Sequence, residues 1–167
     1  GWAGRFLVED NPDFIISPPE YPLGVRIGGS ATLFQSEFGN LGVTFGGATQ
    51  FAQFLEQGGF YNEEDVPENE FGRSLSFARK ISNSSFKYLE SIQTAADSAT
   101  NLSEYPNSGL SRSLSVVARL IRGGLKTKVF LVSKGGFDTH NNQGSTDGGH
   151  ANLLADIADS VSAFYTD

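Results

Sequence analysis

The chain has 167 residues, a length that suits one domain or part of a larger one. Its 12 Lys and Arg against 19 Asp and Glu give a net charge of −7. An acidic chain without a basic stripe is poorly suited to binding nucleic acid or an anionic membrane. No stretch approaches the ~18 apolar residues of a membrane span. Cysteine is absent, which excludes disulfides, thiol nucleophiles and cysteine zinc sites. Methionine is also absent and the chain begins Gly1-Trp2, so a processed chain or a fragment is expected.

The first 60 residues are predicted to be irregular, with short strands. Prolines break residues 1–23, although one helical turn there could form. That turn would bury Trp2, Phe6 and Leu7. Residues 24–47 alternate apolar and polar residues around glycine pairs, which is typical of short strands. The apolar positions of these strands are Val25, Ile27, Ala31, Leu33, Val43 and Phe45. Residues 50–57 predict a short helix.

Residues 61–167 are predicted to contain helices, one buried strand and a glycine-rich loop. The acidic segment 61–70 favours a solvated loop leading into a helix N-terminus, where negative charge is stabilising. Apolar residues then recur at helical spacing over 70–99, with a bend expected near 83–85. A second helix is predicted over 108–122, ending at Gly123-Gly124.

Four consecutive apolar residues, 129–132, predict a strand buried on both faces, as in a parallel sheet. A glycine-rich loop over 135–149 and a helix over 149–165 follow. The apolar stripe of this helix is Leu153, Leu154, Ile157, Val161 and Phe164. Because helices alternate with a buried strand, the pattern predicts an α/β sandwich with a mostly parallel sheet flanked by helices. No repeat or linker divides residues 1–167, so a single domain or a partial one is expected.

Both histidines of the chain lie in or beside the 135–149 loop. Ligands of open α/β sheets bind beyond the carboxyl ends of strands, and this loop leaves such an end. Asp138 and His140 are two residues apart, so an extended backbone points both side chains the same way. A carboxylate and an imidazole suit zinc or a similar divalent ion, and His150 is a third candidate ligand. The alternative is structural: Asp138 accepts backbone hydrogen bonds in a capped loop, and His150 simply opens the last helix.

Other motifs point to no further chemistry. Gly28-Gly29-Ser30 does not form the GxGxxG fingerprint, and a GxSxG nucleophile elbow is absent. Three arginines, at positions 112, 119 and 122, follow one polar helix face. They are compatible with an anion site, but a solvated face is the simpler interpretation.

The run from Gly135 to Gln143, GGFDTHNNQ, with His150 and Leu153-Leu154, resembles the signature of a bacterial family. It is the domain-of-unknown-function 1501 family of the alkaline-phosphatase-like superfamily. Residues 1–7, 105–125 and 163–167 resemble further segments of these proteins, so the resemblance extends over nearly the whole chain.

The resemblance implies a layered α/β fold with a metal site at strand ends. Relatives in the superfamily are metal-dependent hydrolases or transferases of phosphate and sulfate esters. By position, Asp138 and His140 match one Asp/His ligand group, and His150 is a further ligand. The superfamily's more usual spacing is Asp-x-x-x-His, whereas this chain has Asp138-Thr139-His140. The implied cofactor is a divalent ion such as zinc, manganese or calcium, and the nucleophile is not identified.

Family members are longer than this chain. They begin with an export signal and a Gly-Gly-Asn-Asp-type segment, and later carry a Ser-Glu-Phe-Gly-Arg segment and an Asp-His pair. The expectation is therefore an internal fragment of an exported protein (periplasmic, cell-surface or secreted), whose partner is the remainder of its own polypeptide or another protein. Two functions follow: a metal-dependent ester hydrolase, or a non-catalytic binding or structural subunit of a cell-surface assembly. The fragment alone is expected to be inactive.

Overall fold

The computed structural model describes residues 1–29, 31–57, 62–86, 88–140 and 143–167. The helices in this part of the chain are α1 (Trp2–Asp10), α2 (Ala48–Gln57), α3 (Glu70–Phe86), α4 (Leu89–Ser98), α5 (Gly109–Arg122) and α6 (Gly149–Thr166). The strands are β1 (Gly24–Ile27), β2 (Gln35–Ser36), β3 (Gly39–Asn40), β4 (Gly42–Phe45) and β5 (Val129–Val132). Two short 3-10 helices lie at Pro12–Ile15 and Ala31–Phe34.

Three strands form a parallel sheet in the order β4-β1-β5, and β2 and β3 form a separate antiparallel hairpin. In the central strand, Val25 lies opposite Val43 of β4 and Phe130 of β5. The mixed α/β class, with a parallel sheet and flanking helices, is confirmed. No helix in the described ranges is both long enough and apolar enough to cross a bilayer.

The sheet has a hydrophobic cluster on each face, because side chains alternate along parallel strands. On one face, the buried apolar residues of β1 and β4 pack with α2, α4 and α5; they are Val25, Ile27, Val43 and Phe45. On the other face, the buried Phe34 ring lies over Gly24 and Gly42, and a Cβ atom at either glycine would overlap it. Leu7 of α1 joins this second cluster.

The prediction of an irregular opening was wrong, since residues 2–10 form α1. The first proline is Pro12, so the prolines constrain only the segment after the helix. Leu7 is buried as expected, but Trp2 and Phe6 are 69% and 55% exposed. They lie about 100° around α1 from Ala3 and Leu7, which are four residues apart and share the buried face.

Between residues 24 and 47, the strands predicted around Val25 and Val43 are confirmed as β1 and β4. The prediction of a strand through Ala31 and Leu33 was wrong, because residues 31–34 form a 3-10 helix. This helix places Phe34 in the core beside the sheet. Positive φ angles of 91° and 86° at Gly28 and Gly29 turn the chain at the end of β1. Ser30 lies outside the described residues.

The predicted helices match the structure with shifted ends. The helix expected over 70–99 is divided into α3 and α4, and the break falls after Phe86 rather than near 83–85. The predicted helix over 108–122 is confirmed as α5. Ser108 caps it by accepting a hydrogen bond from the Ser111 amide at 3.1 Å. Residue 61 of the predicted acidic loop lies outside the described residues.

The strand at 129–132 is confirmed as β5, but its burial on both faces is not. All four of its residues are only half-buried. The reason is that β5 lies at the edge of the described sheet: β1 pairs with it on one side, and no described strand pairs on the other. Helix α6 packs on α5, yet Leu154 of its predicted buried stripe is 51% exposed and Val161 37% exposed.

Candidate functional site

Asp138 and His140 lie together in the loop that follows the carboxyl end of β5, where the sequence places them. Their side chains are in contact, Nδ1 of His140 against Oδ1 of Asp138, and are 79% and 81% exposed. Because an ionised carboxylate only accepts, Nδ1 is the donor in this pairing.

His150 takes a different position. It is the second residue of α6, and its ring meets the Phe137 ring edge-to-face with centroids 6.0 Å apart. Its backbone amide donates to the Gln143 carbonyl at 3.2 Å. Within the described ranges, no three His, Asp or Glu residues are grouped closely enough to hold a metal ion. His150 is therefore not assembled with Asp138 and His140.

The donors present fit part of a metal site. Asp138 and His140 are residue types that bind divalent ions, and they are adjacent and open to solvent. A catalytic zinc usually takes three protein ligands. The loop thus supplies at most two of the protein ligands that such an ion needs, and residues 141 and 142 lie outside the described part of the loop.

The segment 134–137 connects β5 to this pair and lies along the start of α6. Two contacts hold it there, Lys134 with Asp156 and Phe137 with His150, and a Cβ atom added at Gly136 would lie 3.5 Å from the Leu153 side chain. Gly136 has a φ of 96°, a conformation that side chains rarely adopt. The site is therefore supported from α6, not from within the loop alone.

Asp156 of α6 is the centre of a cluster of hydrogen-bonded polar side chains that includes Lys134. Its carboxylate accepts from the Lys134 ammonium and, at 3.2 Å, from the Ser160 hydroxyl. Ser160 and Ser111 of α5, both fully buried, are joined by a 2.6 Å hydrogen bond. The hydrogen bond from Lys134, followed by that from Ser108, holds the pKa of Asp156 below its usual range.

A second carboxylate cluster fixes the other end of α6. The covered side chain of Asp167 accepts from the Leu102 amide at 2.7 Å, from Asn101 at 2.6 Å and from the Tyr105 hydroxyl at 3.0 Å. Burial alone would raise the pKa of Asp167, but these bonds and the charge of Arg122 outweigh it and hold the pKa below its usual range. Burial, then the hydrogen bond to Asp167, raise the pKa of Tyr105.

The three arginines on α5 each have a partner within the fold. Arg112 donates to the Asn107 side chain at 2.8 Å, Arg119 lies 3.7 Å from Asp97, and Arg122 is paired with Asp167. These contacts give the arginines structural roles that join α5 to its neighbours.

Sequence reasoning missed Lys134 and Asp156, which support the loop. A signal was present: Lys134 directly follows the apolar strand and precedes the glycine pair, and Asp156 interrupts the apolar stripe of α6 between Leu153 and Ile157. The two are 22 residues apart, so no local spacing pairs them.

Three surface clefts lie elsewhere on the described structure. One of about 610 Å³ separates α1 from the β2–β3 hairpin, and one of about 570 Å³ lies between α4 and the turn that follows α5. A third, of about 600 Å³, is lined by the acidic segment before α3. The linings of these three clefts do not include Asp138, His140 or His150. The side chains of Asp138 and His140 are open to solvent.

Comparison with protein-family models, curated proteins and solved structures finds no match to this chain. The resemblance carried by the 135–143 run therefore stays a prediction. What the structure contributes is the position of the Asp138–His140 pair and the way in which α6 supports it.

Proposed function

We propose that the 135–149 loop contributes Asp138 and His140 to the divalent-metal site of an exported, metal-dependent hydrolase of phosphate or sulfate esters. The observation that carries the proposal is the contact between the two side chains, carboxylate against imidazole, in the loop that follows the carboxyl end of a parallel strand. Ligands of open α/β sheets bind at that edge. The layered alkaline-phosphatase-like architecture is part of the proposal.

The chemistry divides between the ion and the chain. A divalent ion held there would polarise a phosphoryl or sulfuryl oxygen and activate a nucleophile. Asp138 and His140 would each offer one donor atom to the ion. Because both side chains are exposed, they are open to an ester substrate as well as to an ion.

The remaining ligands come from outside these residues, from the rest of the polypeptide or from a protein partner. Two features support this. The described loop offers a pair of donors rather than three, and the outer edge of β5 has no described strand beside it. A further parallel strand on that edge would bring its own carboxyl end next to the Asp138–His140 loop.

One observation favours a second candidate. In the described ranges, His150 contacts Phe137 and is not grouped with the Asp138–His140 pair. A loop that never completes a ligand set would suit a non-catalytic binding or structural subunit of an exported assembly, since fold alone does not decide function.

The test is equilibrium binding of Zn²⁺ and Mn²⁺ to the 167-residue chain and to three variants. Asp138→Ala and His140→Ala each remove one proposed ligand, and Asp147→Ala removes an exposed carboxylate from the same loop as a matched control. We expect weak binding that the first two substitutions abolish and the control preserves. Binding that is equal in all four proteins would contradict the metal site.

A further inference from the structure

The contacts of the 134–137 segment follow a regular order along α6. As the chain advances from Lys134 to Phe137, the α6 residues beside it step back along the helix. Lys134 pairs with Asp156, a Cβ atom added at Gly136 would lie 3.5 Å from Leu153, and the Phe137 ring meets His150. Positions three residues apart share one face of a helix. The segment therefore runs antiparallel to α6 along the first two turns of the helix, and Asp138 is the next residue of the chain.

The first residue of this segment, Lys134, is the one held most strongly to α6. The Lys134 and Asp156 side chains are only 26% and 16% exposed, in contrast to the exposed Asp138–His140 pair. Asp156 is itself held by the hydroxyls of Ser160 and Ser108, which tie it to α5. Lys134 is thus bound to a carboxylate whose place is already set by two helices.

After Lys134, the contacts between the segment and α6 become weaker. Phe137 makes one ring contact with His150, and Gly136 has no side chain with which to contact α6. Within the turn after this segment, the Thr139 amide donates to the Phe137 carbonyl at 3.0 Å. Without the ion pair, the chain from β5 to Asp138 would be free to rotate about its glycine pair.

We propose that Lys134 and Asp156 form a positioning pair. Their ion pair holds the start of the loop and so determines the direction in which the side chains of Asp138 and His140 project from α6. The use of that geometry for metal binding rests on the proposed function, whereas the ordering of the loop does not. Preorganised ligands bind an ion more tightly, and loss of a group that orients a ligand typically costs about 10-fold to 100-fold in metal affinity.

The experiment compares four single variants of the 167-residue chain. Lys134→Gln and Asp156→Asn each remove the ion pair at nearly constant size, and Lys134→Arg keeps it. Asp167→Asn is the matched control, because it neutralises another covered carboxylate of the α6 region, at the end far from the loop. The readouts are backbone ¹⁵N order parameters of residues 136–140 without metal, the dissociation constant for Mn²⁺, and the melting temperature.

We expect Lys134→Gln and Asp156→Asn to lower the loop order parameters below about 0.6, a value typical of flexible backbone. They should also weaken Mn²⁺ binding about 10-fold. Lys134→Arg should resemble the parent chain. Asp167→Asn should lower the melting temperature and leave both loop readouts unchanged.

Unchanged order parameters in Lys134→Gln, or equal loop changes in Asp167→Asn and Asp156→Asn, would overturn the positioning role. If the parent chain binds no Mn²⁺ but the order parameters respond as expected, the proposed function fails and the positioning role stands. If Asp156→Asn does not fold, the comparison of Lys134→Gln with Lys134→Arg still decides the result.

Discussion

Asp156 and Asp167 both have pKa values held below the usual range, and this makes the docking of α6 sensitive to pH. A carboxyl group with a lowered folded-state pKa stabilises the fold above its unfolded pKa of about 3.9. That stabilisation is lost as the pH falls through the folded-state value. We expect the free energy of unfolding to fall more steeply below about pH 4 in the parent chain than in Asp167→Asn. Urea denaturation between about pH 6 and pH 3 measures both slopes, and parallel slopes would contradict the assignment.

Gly136 and its neighbour Gly135 offer a matched pair of substitutions. Gly136 has a φ of 96°, whereas the φ of Gly135 is not positive and no atom lies within 4 Å of its Cβ position. We expect Gly136→Ala to destabilise the fold or the loop by about 1–2 kcal/mol, because a Cβ atom disfavours positive φ. Gly135→Ala should be close to neutral. Denaturant unfolding measures the free energy of unfolding of both variants. Equal losses in Gly136→Ala and Gly135→Ala would contradict the prediction.

At the scale of elements, the side chains on the two faces of β5 have different surroundings. Phe130 packs against the hydrophobic cluster that the sheet forms with α2, α4 and α5. Leu131 points to the other face, beside Arg26 of β1. Full burial of either side chain would make truncation to alanine cost about 2–5 kcal/mol. Since both are half-buried, we expect Phe130→Ala to cost about 2 kcal/mol and Leu131→Ala clearly less. Equal losses in denaturant unfolding would show that the outer face is covered as well.

The elements that the sequence predicts well are those with a strong local pattern. Helix α5 has apolar residues at helical spacing, a serine cap and a glycine stop, and β5 is a continuous apolar run. The extent of burial of β5 depends on whether another strand lies beside it, and periodicity carries no information on that. Helix α1 was missed because the prolines after it dominated the composition of residues 1–23.

The candidate site divides in the same way. Asp138 and His140 are two residues apart, so local geometry brings them together. Lys134 and Asp156 are paired only because β5 and α6 pack in three dimensions. His150 is near the pair in sequence, but as part of α6 its ring follows the helix and meets Phe137.

At the scale of the whole molecule, the described sheet has three strands and the loop holds one pair of donors. A metal-dependent hydrolase needs more ligands than this. We therefore expect no metal-dependent turnover of an aryl phosphate or an aryl sulfate by the 167-residue chain with added zinc, manganese or calcium. Turnover that Asp138→Ala abolishes would show that the site is complete within these residues.

The most direct test of the metal site is a map of where Mn²⁺ binds. Mn²⁺ accepts carboxylate ligands and broadens the NMR signals of nearby nuclei. The acidic segment 62–70 is the natural competitor, because it carries a dense local negative charge. With Mn²⁺ at a small fraction of the protein concentration, we expect the signals of Asp138 and His140 to broaden first, and Asp138→Ala to abolish this. Broadening centred on 62–70, with the loop signals unchanged, would contradict the site.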